Sequence, residues 1–260
     1  ENFNFYKNQN TATLCIFRPM IKISPFKILM LFIFTLTSCQ SQNKHSTNKK
    51  KYTFKKGDQN GIGKWYLGRE IAYVMGYEGI NWLERLEREK EENTSKLIKN
   101  MNIQPTDIIA DIGAGSGYHV FKMSPLANKG AVYAVDIQPE MLQAILRNNK
   151  YEINKNIELV QGNEKSVNLP KNTFDKVLLV DVYHEFNFPL EMILSIKKSL
   201  KTNGKIYLIE YRSEDPLIPI KKIHKMSEKQ AIKEMKAAGF KLQKNIDNLP
   251  IQHCMIFVKK

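Results

Sequence analysis

The sequence predicts an α/β fold: a seven-stranded, mostly parallel sheet with helices on both faces and an antiparallel hairpin at its C-terminal end. Two observations predict it. From position 107 onward, short apolar runs alternate with segments of helical periodicity, which is typical of parallel strands joined by crossover helices. The last two strand candidates have only DNLPIQH between them, which is too short for a helix and indicates a hairpin at the edge of the sheet.

Seven strands and four intervening helices follow from this pattern. The predicted strands are 107–111, 131–136, 157–161, 174–181, 204–210, 241–246 and 254–259, and the predicted helices are 117–127, 139–149, 189–200 and 228–238. Pro139 and Pro189 stand at helix starts, where the first turn tolerates proline. Gly239 follows the last helix, as a C-terminal cap does.

The region before the sheet, 61–102, first mixes glycine with aromatic residues and then shows helical spacing. Trp82, Leu83, Leu86, Leu97 and Ile98 are predicted to share one face of a helix over 81–101. The charged stretch between them, ERLEREKEEN, is interpreted as a solvated helix face. The aromatic segment 65–77 forms either a lid over a substrate or a layer packed on the sheet, and the sequence leaves both open.

Charge is unevenly distributed along the 260 residues. Ten of the 40 Lys and Arg residues and two of the 26 Asp and Glu residues lie in the first 60 positions, so a net +8 of the total +14 falls there. In the remainder the lysines are scattered, whereas a nucleic-acid-binding surface usually shows a basic stripe or patch. We therefore expect no nucleic-acid partner.

A glycine-rich loop, ADIGAGSGYHV, follows the first predicted strand and opens a helix. Gly113, Gly115 and Gly117 would let a ligand press against bare backbone, and the free N–H groups of a helix start favour an anionic or strongly polar ligand. The next strand ends at Asp136, twenty-five residues past Asp111. A carboxylate at that tip can accept hydrogen bonds from both ribose hydroxyls, so the pattern predicts a nucleoside-bearing cofactor.

The glycine spacing distinguishes between cofactors. The dinucleotide pattern G-x-G-x-x-G, begun at Gly113, requires glycine at position 118, which is Tyr118. The loop instead resembles the first motif of the class I S-adenosylmethionine-dependent methyltransferases, an acidic residue followed by G-x-G-x-G, and Asp136 matches their second motif. The resemblance covers roughly 81–260. It implies a Rossmann-like fold, S-adenosyl-L-methionine as cofactor and methyl transfer as the reaction.

The resemblance also implies roles for individual residues. Asp111 and the loop glycines would surround the methionine part of the cofactor, Asp136 would hold the ribose, and Ile137 would lie beside the adenine. The segment 161–164 would also approach the adenine, although many relatives have Asp where this chain has Asn163. The implied cofactor residues are Asp111, Gly113, Gly115, Gly117, Asp136, Ile137, Asn163, Glu164 and Asp181.

Catalysis needs a general base only if the acceptor must lose a proton. His184 and Glu185, which follow the fourth strand, are the predicted catalytic residues, although a histidine at this place can also serve the structure alone. The loop after Asp215 is a further candidate for substrate contact, and His224 within it is expected to be exposed. The sequence marks out no metal site, and Cys254 is expected to be a buried, apolar-like residue.

The predicted function is methyl transfer from S-adenosylmethionine to an unidentified, small-molecule acceptor. Two alternatives stay open at this point. One is a membrane-tethered, non-catalytic binding protein that has the same fold. The other, less favoured because of Tyr118, is a nicotinamide-dependent oxidoreductase.

The first forty residues contain a leader-like pattern. Lys22 and Lys27 precede a nine-residue apolar run, after which Leu36-Thr37-Ser38-Cys39 resembles the lipobox of bacterial lipoproteins. The resemblance implies cleavage before Cys39, a lipid on that cysteine and a membrane-anchored lipoprotein of a bacterial envelope, with a cytoplasmic location as the alternative. The expected organisation is an upstream segment and signal peptide (1–38, with 1–19 ahead of a start at Met20), a flexible tether (39–60), an N-terminal lid and helical extension (61–102) and a methyltransferase domain (103–260).

Overall fold

Two sheets organise residues 51–260, which are the part of the chain that the computed structural model describes. Within this part, the strands are β1 (Tyr52–Phe54), β2 (Gly61–Tyr66), β3 (Arg69–Ala72), β4 (Ile108–Ile112), β5 (Ala131–Asp136), β6 (Ile157–Gln161), β7 (Phe174–Val180), β8 (Leu200–Tyr211), β9 (Phe240–Asn245) and β10 (Gln252–Lys259). The first three form a small antiparallel sheet, and the other seven form the central sheet.

The central sheet has the strand order β6-β5-β4-β7-β8-β10-β9. Its first five strands are parallel, and β10 runs antiparallel to both β8 and β9. The predicted mostly parallel, seven-stranded sheet with a C-terminal hairpin is confirmed. Because β4 and β7 are neighbours although the chain visits β5 and β6 between them, the strand order reverses next to β4. A ligand crevice commonly opens at such a point, beyond the carboxyl ends of the strands.

Helices cover both faces of the central sheet. They are α1 (Ile80–Leu83), α2 (Arg88–Glu92), α3 (Thr94–Met101), α4 (Val120–Met123), α5 (Pro139–Arg147), α6 (Asn149–Ile153), α7 (Pro189–Ser199) and α8 (Glu228–Ala237). The sheet has a hydrophobic core on each face, and successive residues of a strand point into one core and then the other. In the first core, Ala110 and Ile112 pack with α7 and α8; in the second, Ile109 packs with α3, α4 and α5. Cys254 is fully buried in the second core, as expected.

The predicted single helix over 81–101 is wrong. The structure has three short helices there, and Asn93 (φ 53°) ends α2 and caps α3 through its side chain, which accepts a hydrogen bond from Lys96 N. A left-handed residue cannot lie inside a continuous α-helix. As a result, the supposed apolar face is divided: Leu97 is buried, but Leu86 is 94% and Trp82 48% exposed.

The small sheet was not predicted at all. Residues 39–60 were expected to form a flexible tether, yet β1 lies within them and pairs with β2. The β2–β3 connection is a tight turn in which Leu67 (φ 48°) and Gly68 (φ 97°) both have positive φ, the signature of a type I′ hairpin. Ile71 and Ala72 are fully buried, so this sheet is packed against the rest of the described chain.

Arg69 fixes the small sheet to the main sheet. Its guanidinium donates to both carboxylate oxygens of Glu234 on α8, at 2.8 and 2.9 Å, and to the backbone oxygen of His184, at 2.9 Å. Tyr183 donates its hydroxyl hydrogen to the same carboxylate at 2.8 Å. These side chains are almost fully buried, so β3, α8 and the segment after β7 are joined through one ion pair.

Residues 1–50 lie outside the described part, so the signal peptide and the lipid on Cys39 stay predictions. Among residues 51–260, no helix is both long and apolar enough to cross a membrane.

Candidate active site

The glycine-rich loop lies at the carboxyl end of β4. Gly113 (φ 71°) and Gly115 (φ 54°) both adopt the left-handed conformation that favours glycine. A Cβ on Gly113 would lie 2.4 Å from Cγ2 of Val182, and a Cβ on Gly115 would lie 2.6 Å from Cδ1 of Leu83. The loop therefore has both the conformation and the tight surroundings that require glycine at these two positions.

Asp136 ends β5 beside this loop. One carboxylate oxygen accepts a hydrogen bond from Gly115 N at 3.0 Å, and the other accepts one from Gln138 N at 2.9 Å. Burial raises the pKa of Asp136, and these backbone N–H groups oppose the rise. The two bonds hold the carboxylate at the tip of its strand, facing the space next to the glycine loop.

A cavity of about 830 Å³, partly open to solvent, occupies this space. We call it the cofactor cavity. Among the predicted cofactor residues, its lining includes Gly113, Gly115, Asp136, Ile137, Glu164 and Asp181, and Glu185 lies in its wall as well.

Three predicted cofactor residues do not line this cavity. Gly117 packs against Phe121 and Ile145. Asn163 uses its side-chain oxygen to accept a hydrogen bond from Lys165 N at 2.9 Å. Asp111 is 2% exposed, in the strand below the loop. The roles of all nine residues toward a cofactor stay predictions.

Two buried carboxylate oxygens next to the loop lack a partner. Oδ2 of Asp111 and Oδ1 of Asp181 make no hydrogen bond within residues 51–260. Asp181 is held in a left-handed conformation (φ 50°), and its other oxygen accepts a hydrogen bond from Gln252 Nε2 at 2.6 Å. A buried, unsatisfied carboxylate is costly. Because Asp181 lines the cofactor cavity, its free oxygen fits a cationic group such as the ammonium of an amino-acid cofactor.

Burial changes the acidity of both carboxylates. It raises the pKa of Asp111 to about 7, with Arg88 opposing and Asp136 reinforcing the rise. It also raises the pKa of Asp181 well above its ordinary value, and the nearby Glu92 and Glu210 add to that rise. A cationic group bound next to either carboxylate would favour its charged form.

Asp111 makes the stability of the ligand-free protein depend on pH. Between its ordinary pKa of 3.8 and about 7, the folded state keeps a proton that the unfolded state has lost, so the free energy of unfolding falls as pH rises. This contribution amounts to about 3 kcal/mol between pH 5 and pH 8. We expect Asp111→Asn to remove it, so that the variant gains stability relative to the wild type at pH 8. Urea unfolding at the two pH values tests this, and equal slopes for both proteins would refute it.

His184 lies in a short 3₁₀ turn, Tyr183–Glu185, directly after β7. Its Nδ1 is 2.6 Å from a carboxylate oxygen of the fully buried Glu210 on β8, and its Nε2 is 3.1 Å from Nδ1 of His224. Burial alone would lower the pKa of His184, but Glu210 raises it above its ordinary value. The expectation of an exposed His224 is wrong, because its side chain is only 24% exposed and contacts His184. We call His184, Glu185 and His224 the histidine cluster.

A second cavity, of about 1340 Å³ including its part open to solvent, lies on the other side of Glu185. The histidine cluster is in its wall, and so are residues of the loop that precedes the 3₁₀ turn Lys222–His224. Six residues line both cavities: Val74, Met75, Leu83, Val180, Asp181 and Glu185. The predicted loop after Asp215 does reach this face, through Pro219, Ile220 and Lys221.

Met75 is one of the residues between the two cavities, and its backbone is hydrogen-bonded on both sides. Its backbone N–H donates to Glu185 Oε2 at 3.2 Å, and its backbone oxygen accepts from Gln138 Nε2 at 3.0 Å. The sequence offered no signal for Met75, Gln138 or Glu210. It also offered none for His224, which is 40 residues from its partner His184 and joins it only through the fold.

The fold and this pair of cavities define a class I methyltransferase architecture, and comparison with known proteins agrees. A family model described as a methyltransferase domain matches residues 86–252. The chain is 30% identical to the uncharacterized methyltransferase YdaC of Bacillus subtilis over 55% of its length and 76% of YdaC. It is also 31% identical to the demethylmenaquinone methyltransferase of Lactococcus lactis over 49% of this chain but only 50% of that protein.

A solved structure of a SAM-dependent methyltransferase from Aquifex aeolicus has the same fold. Its TM-score is 0.66 at 22% identity, over 71% of this chain and 98% of the other. The chain thus belongs to the methyltransferase-domain family. Membership confirms the predicted enzyme class, an S-adenosylmethionine-dependent methyltransferase, over the nicotinamide-dependent alternative.

Proposed function

We propose that this chain transfers the methyl group of S-adenosylmethionine, bound in the cofactor cavity, to a small molecule bound in the second cavity. The observation that carries the proposal is their common wall. Both cavities reach Asp181 and Glu185, so a cofactor in one and an acceptor in the other would meet there. Holding two reactants in contact and in line supplies much of the rate acceleration of such a transfer.

The residues of the cofactor cavity have distinct tasks in this proposal. Asp136 accepts hydrogen bonds from the ribose hydroxyls, and the unpartnered oxygen of Asp181 receives the ammonium group. When bound, the cofactor supplies a methyl group on a positively charged sulfur, and that sulfur keeps the bonding electron pair as the acceptor takes the methyl group. Met75 and Leu83 line both cavities and exclude water from the place where the two reactants would meet.

The lining of the second cavity indicates the class of acceptor. Its apolar surface comes from Tyr73, Val74, Trp82 and Ile220, and its polar atoms include those of the histidine cluster. Arg85 and Arg88 also line the cavity, but both are paired with Glu92. This combination suits a small molecule with an apolar body and one polar, nucleophilic end. The Lactococcus lactis relative, named for demethylmenaquinone, supports a small-molecule acceptor.

The direct test follows the transferred methyl group. The purified full-length chain is incubated with methyl-labelled S-adenosylmethionine and a bacterial extract that has been divided into low-mass metabolites, RNA and protein. We expect label in a new low-mass product that depends on the metabolite fraction. Label in RNA or protein alone would refute the small-molecule acceptor, and binding of cofactor without any transfer would favour the non-catalytic alternative.

We also propose that the chain is attached to a bacterial envelope membrane through a lipid on Cys39. The support is the sequence alone: two lysines, an apolar run and the lipobox-like Leu36-Thr37-Ser38-Cys39. In cell fractionation, we expect the wild type in the membrane fraction and the Cys39→Ser variant outside it. A wild type that is already absent from the membrane fraction would refute the attachment.

A further inference from the structure

We propose that His184, Glu185 and His224 bind one divalent transition-metal ion in the wall of the second cavity. The ligand atoms are Nε2 of His184, Nδ1 of His224 and Oε1 of Glu185. The metal site itself is independent of methyl transfer, whereas its role toward an acceptor rests on the function proposed above.

The distances between the three atoms match a shared ion. The two histidine nitrogens are 3.1 Å apart, and Oε1 of Glu185 lies 3.8 Å from the nitrogen of His184 and 3.7 Å from that of His224. Ligands at about 2.0–2.1 Å from a tetrahedral ion are about 3.3 Å from each other. The three atoms form a triangle close to that size, so a small movement brings all of them into coordination distance.

A hydrogen bond between the two histidines accounts for only part of this arrangement. It explains the 3.1 Å contact, but the distances from Oε1 of Glu185 to both rings are too long for hydrogen bonds. Within residues 51–260, the hydrogen bond of the Glu185 side chain is made by its other oxygen, with Met75 N. An ion between the rings and the carboxylate gives Oε1 a partner.

Glu210 prepares His184 for metal binding. In the neutral ring, the contact of 2.6 Å between Glu210 Oε2 and Nδ1 favours the hydrogen on Nδ1, so that the lone pair of Nε2 faces the cluster; an ion bound there takes the place of the second ring proton. A histidine ligand whose second nitrogen donates to a carboxylate is the usual arrangement in metal sites. Glu210 is fully buried, and His184 is 2% exposed, so this orientation is fixed by the fold.

Two imidazoles and one carboxylate suit a borderline ion such as Zn²⁺ or Co²⁺ rather than Mg²⁺ or Ca²⁺, which prefer oxygen ligands. With three protein ligands on one side, the remaining positions of the ion face the second cavity. An oxygen, nitrogen or sulfur atom of the acceptor could bind there and be held next to the cofactor cavity. In that case the ion, rather than a general base, would orient and activate the nucleophile.

Cobalt titration of the full-length chain tests the site. After treatment with a chelator, Co²⁺ is added without cofactor, and visible absorption reports its coordination; Zn²⁺ is then added as a competitor. We expect one Co²⁺ per chain, displaced by Zn²⁺, and affinity lower by about tenfold to hundredfold or more in His224→Gln and Glu185→Gln. The control His253→Gln removes a histidine bound to Glu214, outside the cluster, and should bind as the wild type does.

Circular dichroism and thermal unfolding test whether each variant is folded; His224, whose side chain is 24% exposed, is the position where replacement should disturb the fold least. Absence of saturable Co²⁺ or Zn²⁺ binding up to about 1 mM, or equal affinity in the wild type and both cluster variants, would overturn the proposal. The same preparations are titrated with S-adenosylhomocysteine, the demethylated cofactor. Binding of this ligand without binding of metal would refute the metal site but leave the proposed cofactor site intact.

Discussion

Replacing Asp136 by Asn is expected to weaken binding of S-adenosylhomocysteine by about tenfold to a hundredfold, which corresponds to the loss of hydrogen bonds to a charged group. The carboxylate lines the cofactor cavity, and in our account it accepts hydrogen bonds from the ribose. An amide of the same size keeps one accepting oxygen but turns an NH₂ group toward a donor. Isothermal titration of both proteins measures the change.

The control for this experiment is Asp247→Asn. Asp247 pairs with Arg212 at the surface, where its side chain is 89% exposed, and it is not part of the cofactor cavity. Its replacement should leave cofactor affinity unchanged. An Asp136→Asn variant that is folded and binds as tightly as this control would contradict the role of Asp136.

Replacing Glu234 by Gln is expected to lower the free energy of unfolding by about 3–5 kcal/mol, because it leaves the buried Arg69 guanidinium without its counterion. Both side chains are nearly inaccessible, and the carboxylate also accepts a hydrogen bond from Tyr183. Urea denaturation of the two proteins measures the difference. The pair of Arg212 with the exposed Asp247 provides the comparison, since breaking it by replacing Asp247 should cost less than about 1 kcal/mol.

The ion pair of Arg69 with Glu234 also supports the proposed metal site. Arg69 donates to the backbone oxygen of His184, so loosening Arg69 frees the turn that carries two members of the histidine cluster. We therefore expect Glu234→Gln to weaken Co²⁺ binding as well. If Glu234→Gln and Asp247→Asn cost the same unfolding free energy, the small sheet is not anchored through Arg69.

The central sheet was predictable because its signals are local. The predicted bounds of β5 and β6 agree with the structure, since each is a short apolar run that ends in a polar residue. The helices that begin at Pro139 and Pro189 start where predicted. The predicted helix over 81–101 failed because Asn93 adopts a left-handed conformation, which a search for apolar periodicity does not detect.

The small sheet and the second cavity depend on tertiary structure. The turn between β2 and β3 puts Leu67 at positive φ, whereas Asn, Asp or Gly usually marks such a turn. The cofactor cavity was predictable in outline, since the glycine loop and Asp136 belong to consecutive strand ends. The histidine cluster was not, because His224 reaches His184 only through the packing of a distant loop.

The most direct measurement is a crystal structure of the full-length chain with S-adenosylhomocysteine. Our account predicts that the ribose hydroxyls lie within hydrogen-bonding distance of the Asp136 carboxylate, that the ammonium group lies near Asp181, and that the sulfur faces the second cavity beside Glu185. A ligand bound outside the cofactor cavity, or a sulfur turned away from Glu185, would contradict it.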